Sequence, residues 1–393
     1  MPRRAKTIEL PRTLQSALTG GHPWVYRDHV PPDVSAPTGT WVKIRAGKFA
    51  GYALWDATSA VALRVFSQRG VPDAEWFETR VQQAWQLRAP LRDANTDAYR
   101  WINGEGDGLP GVVVDLYGGY AVLATYSDSL EPVVQPVVAA LRSVTDLVGV
   151  CRRVHPNRKG GTKALQGLWG RTPPSRLVVQ EHGVRMRAGL REGQKTGLFL
   201  DHRENRRYLA SLASGRTLLN VFSYTGGFSL HAALAGATRV TSVDLAPATA
   251  TAARDNFELN GLDPEHHEFV VADAFDYLER GQTGGTRYDI VVTDPPSFAH
   301  DRGQVDAAIK AYTRLGRLAL GRIVSGGWYV AASCTAQVSP AAFRDALRDA
   351  ARRAGRRLQL AYEAGQPLDH PVMAHHPEGR YLKLLAGRVL DPW

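Results

Sequence analysis

The stretch TLLNVFSYTGGFSLHAALAGATRVTSVDL (217–245) decides the fold class of this chain. It opens with an apolar run at 217–223, passes through a glycine-containing turn, and continues as a helical segment at 226–235. A second apolar run, RVTSVDL, follows directly at 239–245. A strand–helix–strand order of this kind predicts parallel strands joined by a right-handed crossover.

The same alternation continues toward the C-terminus. Further strands are predicted at EFVVAD (268–273), YDIVVTDPP (288–296) and GWYVAASC (327–334), with helices at 247–260, 304–323 and 340–354. Repeated strand–helix units predict an α/β fold with a doubly wound, Rossmann-like parallel sheet. Ligands of such sheets bind at the carboxyl ends of the strands, where the motifs below fall.

Two smaller units are predicted upstream. Residues 1–70 contain short β-rich runs broken by glycines, which indicates a small β-barrel. Residues 71–190 combine helical segments with a strand–turn–strand stretch, which indicates a central α+β domain. The predicted domains are therefore 1–70, 71–190 and 191–393.

The charge balance favours a polyanionic partner. Among 393 residues, Lys plus Arg number 48 and Asp plus Glu 38, which gives +10 at pH 7. Such a surplus supports nucleic-acid binding through neutralised phosphates, although a solvated basic surface would also explain it. The basic loop RRVHPNRKGGTK (152–163) makes Arg158 and Lys159 candidate RNA contacts.

Other classes of protein are disfavoured. Two cysteines do not make a disulfide framework or a multi-cysteine zinc site, and no spacing typical of metal ligands appears, so no metal is predicted. The N-terminus lacks the apolar region of a signal peptide, and no apolar run is long enough to span a membrane. A cytoplasmic location is expected; a homodimer is compatible with the sequence, which does not fix the oligomeric state.

The turn in VFSYTGGFSL (221–230) resembles a nucleotide-cofactor site. Phe222, Tyr224 and Gly226 lie where backbone N–H groups at a helix N-terminus approach a ligand. Asp244 ends the next strand, where a carboxylate can accept hydrogen bonds from both ribose hydroxyls. The pair fits NAD and S-adenosylmethionine alike, but the glycines do not form GxGxxG, which weakens the dehydrogenase interpretation. The glycines could also serve packing alone.

Two further aspartates end strands of the predicted sheet. Asp273 is placed to accept from an adenine amine, or to cap the following helix. Asp294 opens DPPSF (294–298), where Pro295 and Pro296 stiffen the chain and Phe298 could stack on a flipped base. Methyltransferases acting on exocyclic amines usually have an aromatic residue directly after the prolines. Ser297 occupies that position, which argues mildly against amine chemistry.

Cys334 ends the strand predicted beside the Asp294 strand. C5 of cytosine is not nucleophilic enough to take a methyl group from a sulfonium unaided. A thiolate that adds to C6 activates C5, so a cysteine at this edge predicts covalent catalysis. A lone cysteine is by default a small buried hydrophobe, and this is how we interpret Cys151.

Together these motifs closely resemble those of the RlmI-type family of 23S rRNA cytosine-C5 methyltransferases. The matching segments, in the family's order, are GHPWVY, NGEGDGLPGVVVD, GQKTGLFLDHREN (193–205), NVFSYTGGF, SVDLA, VTDPPSF, SC (333–334) and DHPVMAHHPEGRYLK (369–383). The resemblance implies an N-terminal PUA-like domain, a class I methyltransferase domain, S-adenosylmethionine as the cofactor, and an RNA substrate. It also makes Phe199, Asp201 and Arg203 candidate cofactor contacts and supports Cys334 as the nucleophile.

The base that removes the C5 proton is left open between two carboxylates. Asp294 is preferred from its motif position, although it could instead bind the edge of the base. Glu378 lies near the chain end, where the last strands could fold back to the site. Other acceptors for the methyl group also remain: uracil C5, another RNA or a small molecule. A catalytically idle RNA-binding module and a nicotinamide enzyme are more distant alternatives.

Overall fold

The computed structural model describes residues 7–154, 164–190 and 197–393. Strands β1 to β19, in chain order, are Thr7–Glu9, Trp24–Tyr26, Trp41–Ala46, Phe49–Trp55, Val61–Ser67, Ala98–Asn103, Val112–Tyr117, Tyr120–Thr125, Gly149–Val154, Ala164–Gly170, Leu177–Glu181, Val184–Ala188, Thr217–Val221, Arg239–Asp244, Glu268–Val271, Tyr288–Thr293, Ile323–Ser333, Arg357–Ala364 and Lys383–Leu390. Helices α1 to α10 are Gln15–Thr19, Ala74–Leu87, Ala89–Arg92, Glu131–Val144, Arg203–Ser211, Gly227–Leu234, Pro247–Leu259, Ala274–Arg280, Val305–Leu320 and Pro340–Arg353. Within the described ranges, no helix combines the length and apolar character needed to cross a bilayer.

The chain forms two compact units. The first unit comprises 1–183, 188–200 and 368–379, and the second comprises 184–187, 201–367 and 380–393. Each unit therefore contains segments from distant parts of the sequence.

The second unit is built on a seven-stranded sheet with the order β15-β14-β13-β16-β17-β19-β18. Strands β13 to β17 pair in parallel, whereas β19 runs antiparallel to both β17 and β18. The predicted α/β fold class with a Rossmann-like sheet is confirmed. Because β16 and β17 pair directly, with Thr293 opposite Ala331, their carboxyl ends lie side by side.

The sequence pattern sets no bounds for the last two strands and does not predict helix α5. Strand β18 has no buried residue and β19 is buried on nearly all positions, so neither shows the alternation typical of a half-buried strand. Helix α5 has the sequence RENRRYLAS, yet Arg203, Asn205 and Arg206 are buried in it. Its buried face is polar, which hides the helix from a search for apolar periodicity.

The first unit contains two five-stranded sheets. One has the order β1-β3-β4-β5-β2 and includes the region predicted as a small barrel. The other has the order β10-β9-β8-β7-β6, and helices α2 and α4 pack together beside it. Each sheet has its own core of buried apolar side chains, with Val42, Ile44 and Leu63 in the first and Trp101, Val114 and Leu123 in the second.

A buried ion pair joins two of the quoted motifs. Arg88, fully buried, donates to both carboxylate oxygens of Asp107 at 2.6 and 2.7 Å and to the Asp369 carbonyl at 2.7 Å. Asn103 donates to the Pro371 carbonyl at 3.0 Å. The NGEGDG turn thus holds the DHP segment within the first unit. Removing either member of the Arg88–Asp107 pair would strand a buried charge, which is strongly destabilising.

Candidate active site

The turn after β13 holds an unusual backbone. Phe222 and Tyr224 adopt φ of +60° and +48°, and Gly226 adopts +78°. Left-handed conformations at residues with side chains cost on the order of 1–3 kcal/mol and persist mainly at functional sites. At Gly226 a Cβ would lie 2.9 Å from the Cβ of Ala253, so glycine is required there. The strained turn leads directly into the N-terminus of α6.

Asp244 ties this turn to the end of β14. Its Oδ2 accepts from the backbone N–H of Tyr224 at 2.8 Å, and its Oδ1 accepts from Thr249 Oγ1 at 2.9 Å and from the Ala246 N–H at 3.1 Å. A carboxylate has about four acceptor positions, so capacity remains for ribose hydroxyls. The half-buried Asp244 beside a helix N-terminus suits a nucleoside ligand.

Asp273 is exposed and caps α8. Its Oδ1 accepts from the N–H groups of Phe275 at 2.8 Å and Asp276 at 3.0 Å. The structure therefore shows the capping role, while the contact with adenine stays a prediction.

The GLFLDHR residues lie in different units. Phe199 belongs to the first unit, whereas Asp201 and Arg203 belong to the second and are both buried. Asp201 accepts from the Tyr381 hydroxyl at 2.7 Å, and Arg203 Nε lies 3.1 Å from Glu204. Their assignment as cofactor contacts stays a prediction.

Asp294, at the end of β16, is oriented by a buried histidine. His202 Nε2 lies 3.2 Å from Asp294 Oδ2, and the Asn205 amide lies 3.0 Å from His202 Nδ1. Because the Asn205 amide nitrogen can only donate, His202 Nδ1 is the acceptor, and Nε2 is the ring nitrogen that carries a proton and lies near the Asp294 carboxylate. This arrangement places the imidazole beside one oxygen of Asp294, and the other oxygen could contact a ligand.

Cys334 directly follows β17, the strand paired with the one that ends before Asp294, and is partly exposed, whereas Cys151 is buried in β9. The adjoining Thr335 is fully buried, and its Oγ1 lies 2.7 Å from the Tyr312 hydroxyl and accepts from the Phe298 N–H at 3.2 Å. Thr335 therefore joins the Cys334 loop to the DPPSF loop. Burial raises the pKa of Tyr312, and the nearby Cys334 and Asp294 add to the rise, so its hydroxyl stays protonated.

Lys383 lies opposite Ser333 in the β17–β19 pairing and is buried. Its ammonium donates to the carbonyls of Thr335 at 2.5 Å and Val338 at 2.9 Å. Burial lowers the pKa of Lys383 to about 8, although the negative charge of a Cys334 thiolate acts to raise that pKa. A cation interacting with Cys334 favours the thiolate form, which is the nucleophilic one.

Phe298, the candidate for base stacking, packs against other aromatic rings of the protein. Its ring lies 4.9 Å from that of Tyr312 and 6.4 Å from that of Phe275, at the border of the core. In the same loop Pro295 is buried and Pro296 is exposed. Base stacking by Phe298 and base contacts by the two prolines stay predictions.

Three further predicted site residues lie outside the described part of the second unit. Glu378 belongs to the first unit, where its carboxylate contacts His22 and His376 at 3.2 and 3.1 Å. Burial would raise the pKa of Glu378, but a backbone hydrogen bond and His22 outweigh it and lower that pKa. Arg158 and Lys159 lie outside the described residues.

Sequence reasoning missed two residues of this site, His202 and Lys383. His202 lies within the quoted GLFLDHR segment, but nothing in the local sequence marks it, because Asp294, 3.2 Å away, comes from a distant strand. Lys383 lies within the quoted HPEGRYLK motif, but its contact with the residues after Cys334 depends on the antiparallel strand β19.

Comparisons with known proteins match both units. A family profile described as S-adenosylmethionine-dependent methyltransferase matches residues 155–375, and a PUA-like domain profile matches residues 8–68. A crystal structure of a provisionally assigned methyltransferase complexed with SAH superposes with a TM-score of 0.86 at 26% identity. It covers 98% of this chain and 100% of that chain.

The fold and this site define an S-adenosylmethionine-dependent methyltransferase with a PUA-like domain. The ribosomal RNA large subunit methyltransferase I of Erwinia tasmaniensis is 35% identical over 386 residues, which cover 96% of this chain and 97% of that protein. The ribosomal RNA large subunit methyltransferase of Deinococcus radiodurans is 36% identical, covering 96% and 95%. The chain belongs to this family of ribosomal RNA large subunit methyltransferases.

The cofactor site gives the first prediction. We expect Asp244→Ala to weaken binding of S-adenosylhomocysteine, measured by titration calorimetry, by about 5- to 100-fold, because a buried hydrogen bond contributes about 1–3 kcal/mol. Asp276→Ala, an exposed change on α8, is the control and should bind as the wild type does. Unchanged affinity in Asp244→Ala would remove this carboxylate from the site.

Proposed function

We propose that this protein methylates C5 of a cytosine in large-subunit ribosomal RNA through a covalent bond between Cys334 and C6. The observation that carries the proposal is the adjacency of Cys334 and Asp294 at the carboxyl ends of the paired strands β16 and β17. The relatives named ribosomal RNA large subunit methyltransferases support an RNA substrate. The charge of +10 supports it independently.

The residues after β13 and β14 fit S-adenosylmethionine. Asp244 offers acceptors to ribose hydroxyls, and the turn of Phe222, Tyr224 and Gly226 brings the α6 N-terminus toward the ligand. The bound cofactor supplies an electrophilic methyl group, which C5 can accept only after it has been made nucleophilic.

Cys334 makes C5 nucleophilic. Its thiolate forms the S–C6 bond, and the electron pair of the C5=C6 double bond is thereby made available at C5. After C5 has been methylated, a carboxylate removes the C5 proton, the double bond re-forms, and the C6–S electron pair returns to the thiolate. The buried ammonium of Lys383 favours the thiolate at the start and at the end of this cycle.

Asp294 is our choice for the carboxylate that takes the C5 proton. The His202 ring lies 3.2 Å from Oδ2 and is placed to steady the side chain, while Oδ1 would face the base. The carboxylate of Glu378 is engaged by two histidines, which favours Asp294 of the two candidates.

RNA binding outside the methyltransferase domain is part of the proposal. We assign residues 1–70 to a PUA-like RNA-binding domain, 71–190 to a central domain and 191–393 to the catalytic domain. The loop with Arg158 and Lys159 would add phosphate contacts. A homodimer is one assembly compatible with the sequence, which does not fix the oligomeric state.

The product identifies the acceptor atom. Large-subunit rRNA lacking this modification, incubated with the protein and S-adenosylmethionine, should yield 5-methylcytidine on nucleoside mass spectrometry. Heat-denatured protein is the control. Methyl groups found on uridine, or on the exocyclic amine of cytidine, would contradict the proposed acceptor.

Asp294 is tested by the fate of the adduct. We expect Asp294→Asn to stop turnover and to accumulate a methylated, denaturant-stable protein–RNA complex, because addition succeeds while proton removal fails. Gel electrophoresis with labelled methyl groups detects this complex. If Asp294→Asn forms no complex at all, Asp294 binds the base and another group takes the proton.

A further inference from the structure

One cluster of potential ligands takes no part in the proposed reaction. His22, in the connection between α1 and β2, meets His376 and Glu378, which precede β19. All three belong to the first unit, although His22 and Glu378 are 356 residues apart along the chain. One candidate ligand atom from each lies within 4.8 Å of the others.

We propose that His22, His376 and Glu378 form a zinc-type divalent-cation site. His22 Nε2 lies 3.2 Å from Glu378 Oε1, and His376 Nδ1 lies 3.1 Å from Glu378 Oε2. Neighbouring ligands of a tetrahedral ion with bonds of 2.0–2.1 Å are about 3.3 Å apart. Each imidazole nitrogen lies near this distance from a different Glu378 oxygen, so Glu378, with 38% of its side chain exposed, would bind through both oxygens or rotate to present one to the ion.

The second observation is an unsatisfied nitrogen. His376 is only 2% exposed, and its Nδ1 makes no hydrogen bond, although a Glu378 oxygen lies 3.1 Å away in a direction unsuited to one. Buried polar atoms rarely lack a partner, and each case calls for an explanation. A bond from Nδ1 to a cation at the centre of the cluster would satisfy this atom.

The surroundings of His22 resemble the second shell of a metal site. Its Nδ1 lies 3.2 Å from the Trp24 carbonyl, and a proton on Nδ1 leaves the Nε2 lone pair facing Glu378. Metal-bound histidines usually donate their other N–H in this way. The Trp24 ring packs against His376 with centroids 4.4 Å apart and shields that side of the cluster.

Two imidazoles and one carboxylate suit Zn²⁺, with a fourth position for water. Such a site would join the PUA-like domain to segment 368–379, which leads into the strand carrying Lys383. The alternative is a metal-free cluster, in which the Trp24 N–H donates to His22 Nδ1 at 3.3 Å and Nε2–H donates to Glu378.

Zinc competition tests the site on the full-length protein after chelator treatment. We expect one equivalent of Zn²⁺ to be taken from a chromophoric chelator, and the melting temperature to rise with added Zn²⁺. His22→Asn, His376→Asn and Glu378→Gln should each weaken the affinity by at least about 10-fold. His375→Asn is the matched control: it is exposed, adjacent in sequence and outside the cluster.

The absorption spectrum of bound Co²⁺ tests the coordination geometry and the ligands independently. Co²⁺ bound to the wild type should give the visible absorption of a tetrahedral ion, and Glu378→Gln should lose it. Because Glu378 is exposed enough for the substitution to leave folding intact, this variant decides the case even if His376→Asn unfolds. Absence of stoichiometric Zn²⁺ binding by the wild type, or equal loss in His375→Asn, would overturn the proposal without affecting that for methyl transfer.

Discussion

Cys334→Ala should lower the rate of methyl transfer by on the order of 10⁴-fold or more, as expected when a covalent nucleophile is removed. In the proposed mechanism C5 becomes nucleophilic only through the bond between Cys334 and C6, so the substitution slows the chemical step. Affinity for S-adenosylhomocysteine should stay close to that of the wild type, because the thiol serves the acceptor base. Single-turnover methylation and calorimetry measure the two quantities separately.

Cys151→Ala is the matched control for this variant. Cys151 is fully buried in β9 of the first unit, so the substitution can cost packing but should leave methyl transfer intact. Turnover by Cys334→Ala at a rate near that of the wild type would rule out the covalent mechanism. It would also remove the main reason to favour C5 over an exocyclic amine.

Lys383→Met should lower the rate by about 10²-fold, comparable to the loss of one preorganised electrostatic contact. Methionine keeps the length and apolar stem, but it removes the charge near Cys334 and the bonds to Thr335 and Val338. We expect S-adenosylhomocysteine affinity to be maintained, which separates a role at the thiol from general damage to the fold.

The pH dependence of Cys334 reactivity shows whether Lys383 stabilises the thiolate or only anchors the backbone. The pKa of Lys383 is about 8, so its ammonium is present below pH 8 and is lost as the pH rises through that value. In a Cys151→Ala background, alkylation of Cys334 by iodoacetamide reports the thiolate. Lys383→Met should shift the alkylation midpoint to higher pH, toward the ordinary thiol value of about 8.5. An unchanged midpoint would show that Lys383 acts only as a structural anchor.

Much of the catalytic unit follows from local sequence. Apolar runs alternate with helical segments, and this pattern requires a parallel sheet with ligands at its carboxyl edge. The adjacency of Asp294 and Cys334 was predicted from the same rule, and the pairing of β16 with β17 provides it. Local periodicity is therefore sufficient to predict the main strands and helices of this unit and their order along the chain.

The remaining contacts depend on tertiary structure. His202 acquires its role only when α5 packs with a polar face, and Lys383 only when β19 inserts antiparallel between β17 and β18. His22 and Glu378 meet across 356 residues, so no ligand spacing could reveal them. Long-range pairings of this kind leave no periodic signal in the sequence.

Trapping with 5-fluorocytosine tests the central claim most directly. Fluorine at C5 cannot leave as a proton does, so an RNA substrate with this base at the target position should remain attached after methylation. With wild-type protein and S-adenosylmethionine, we predict a denaturant-stable complex whose cross-linked peptide contains Cys334 and whose base carries the new methyl group. A cross-link at any other residue, or no covalent complex with an RNA that the protein methylates in its unfluorinated form, would contradict the account.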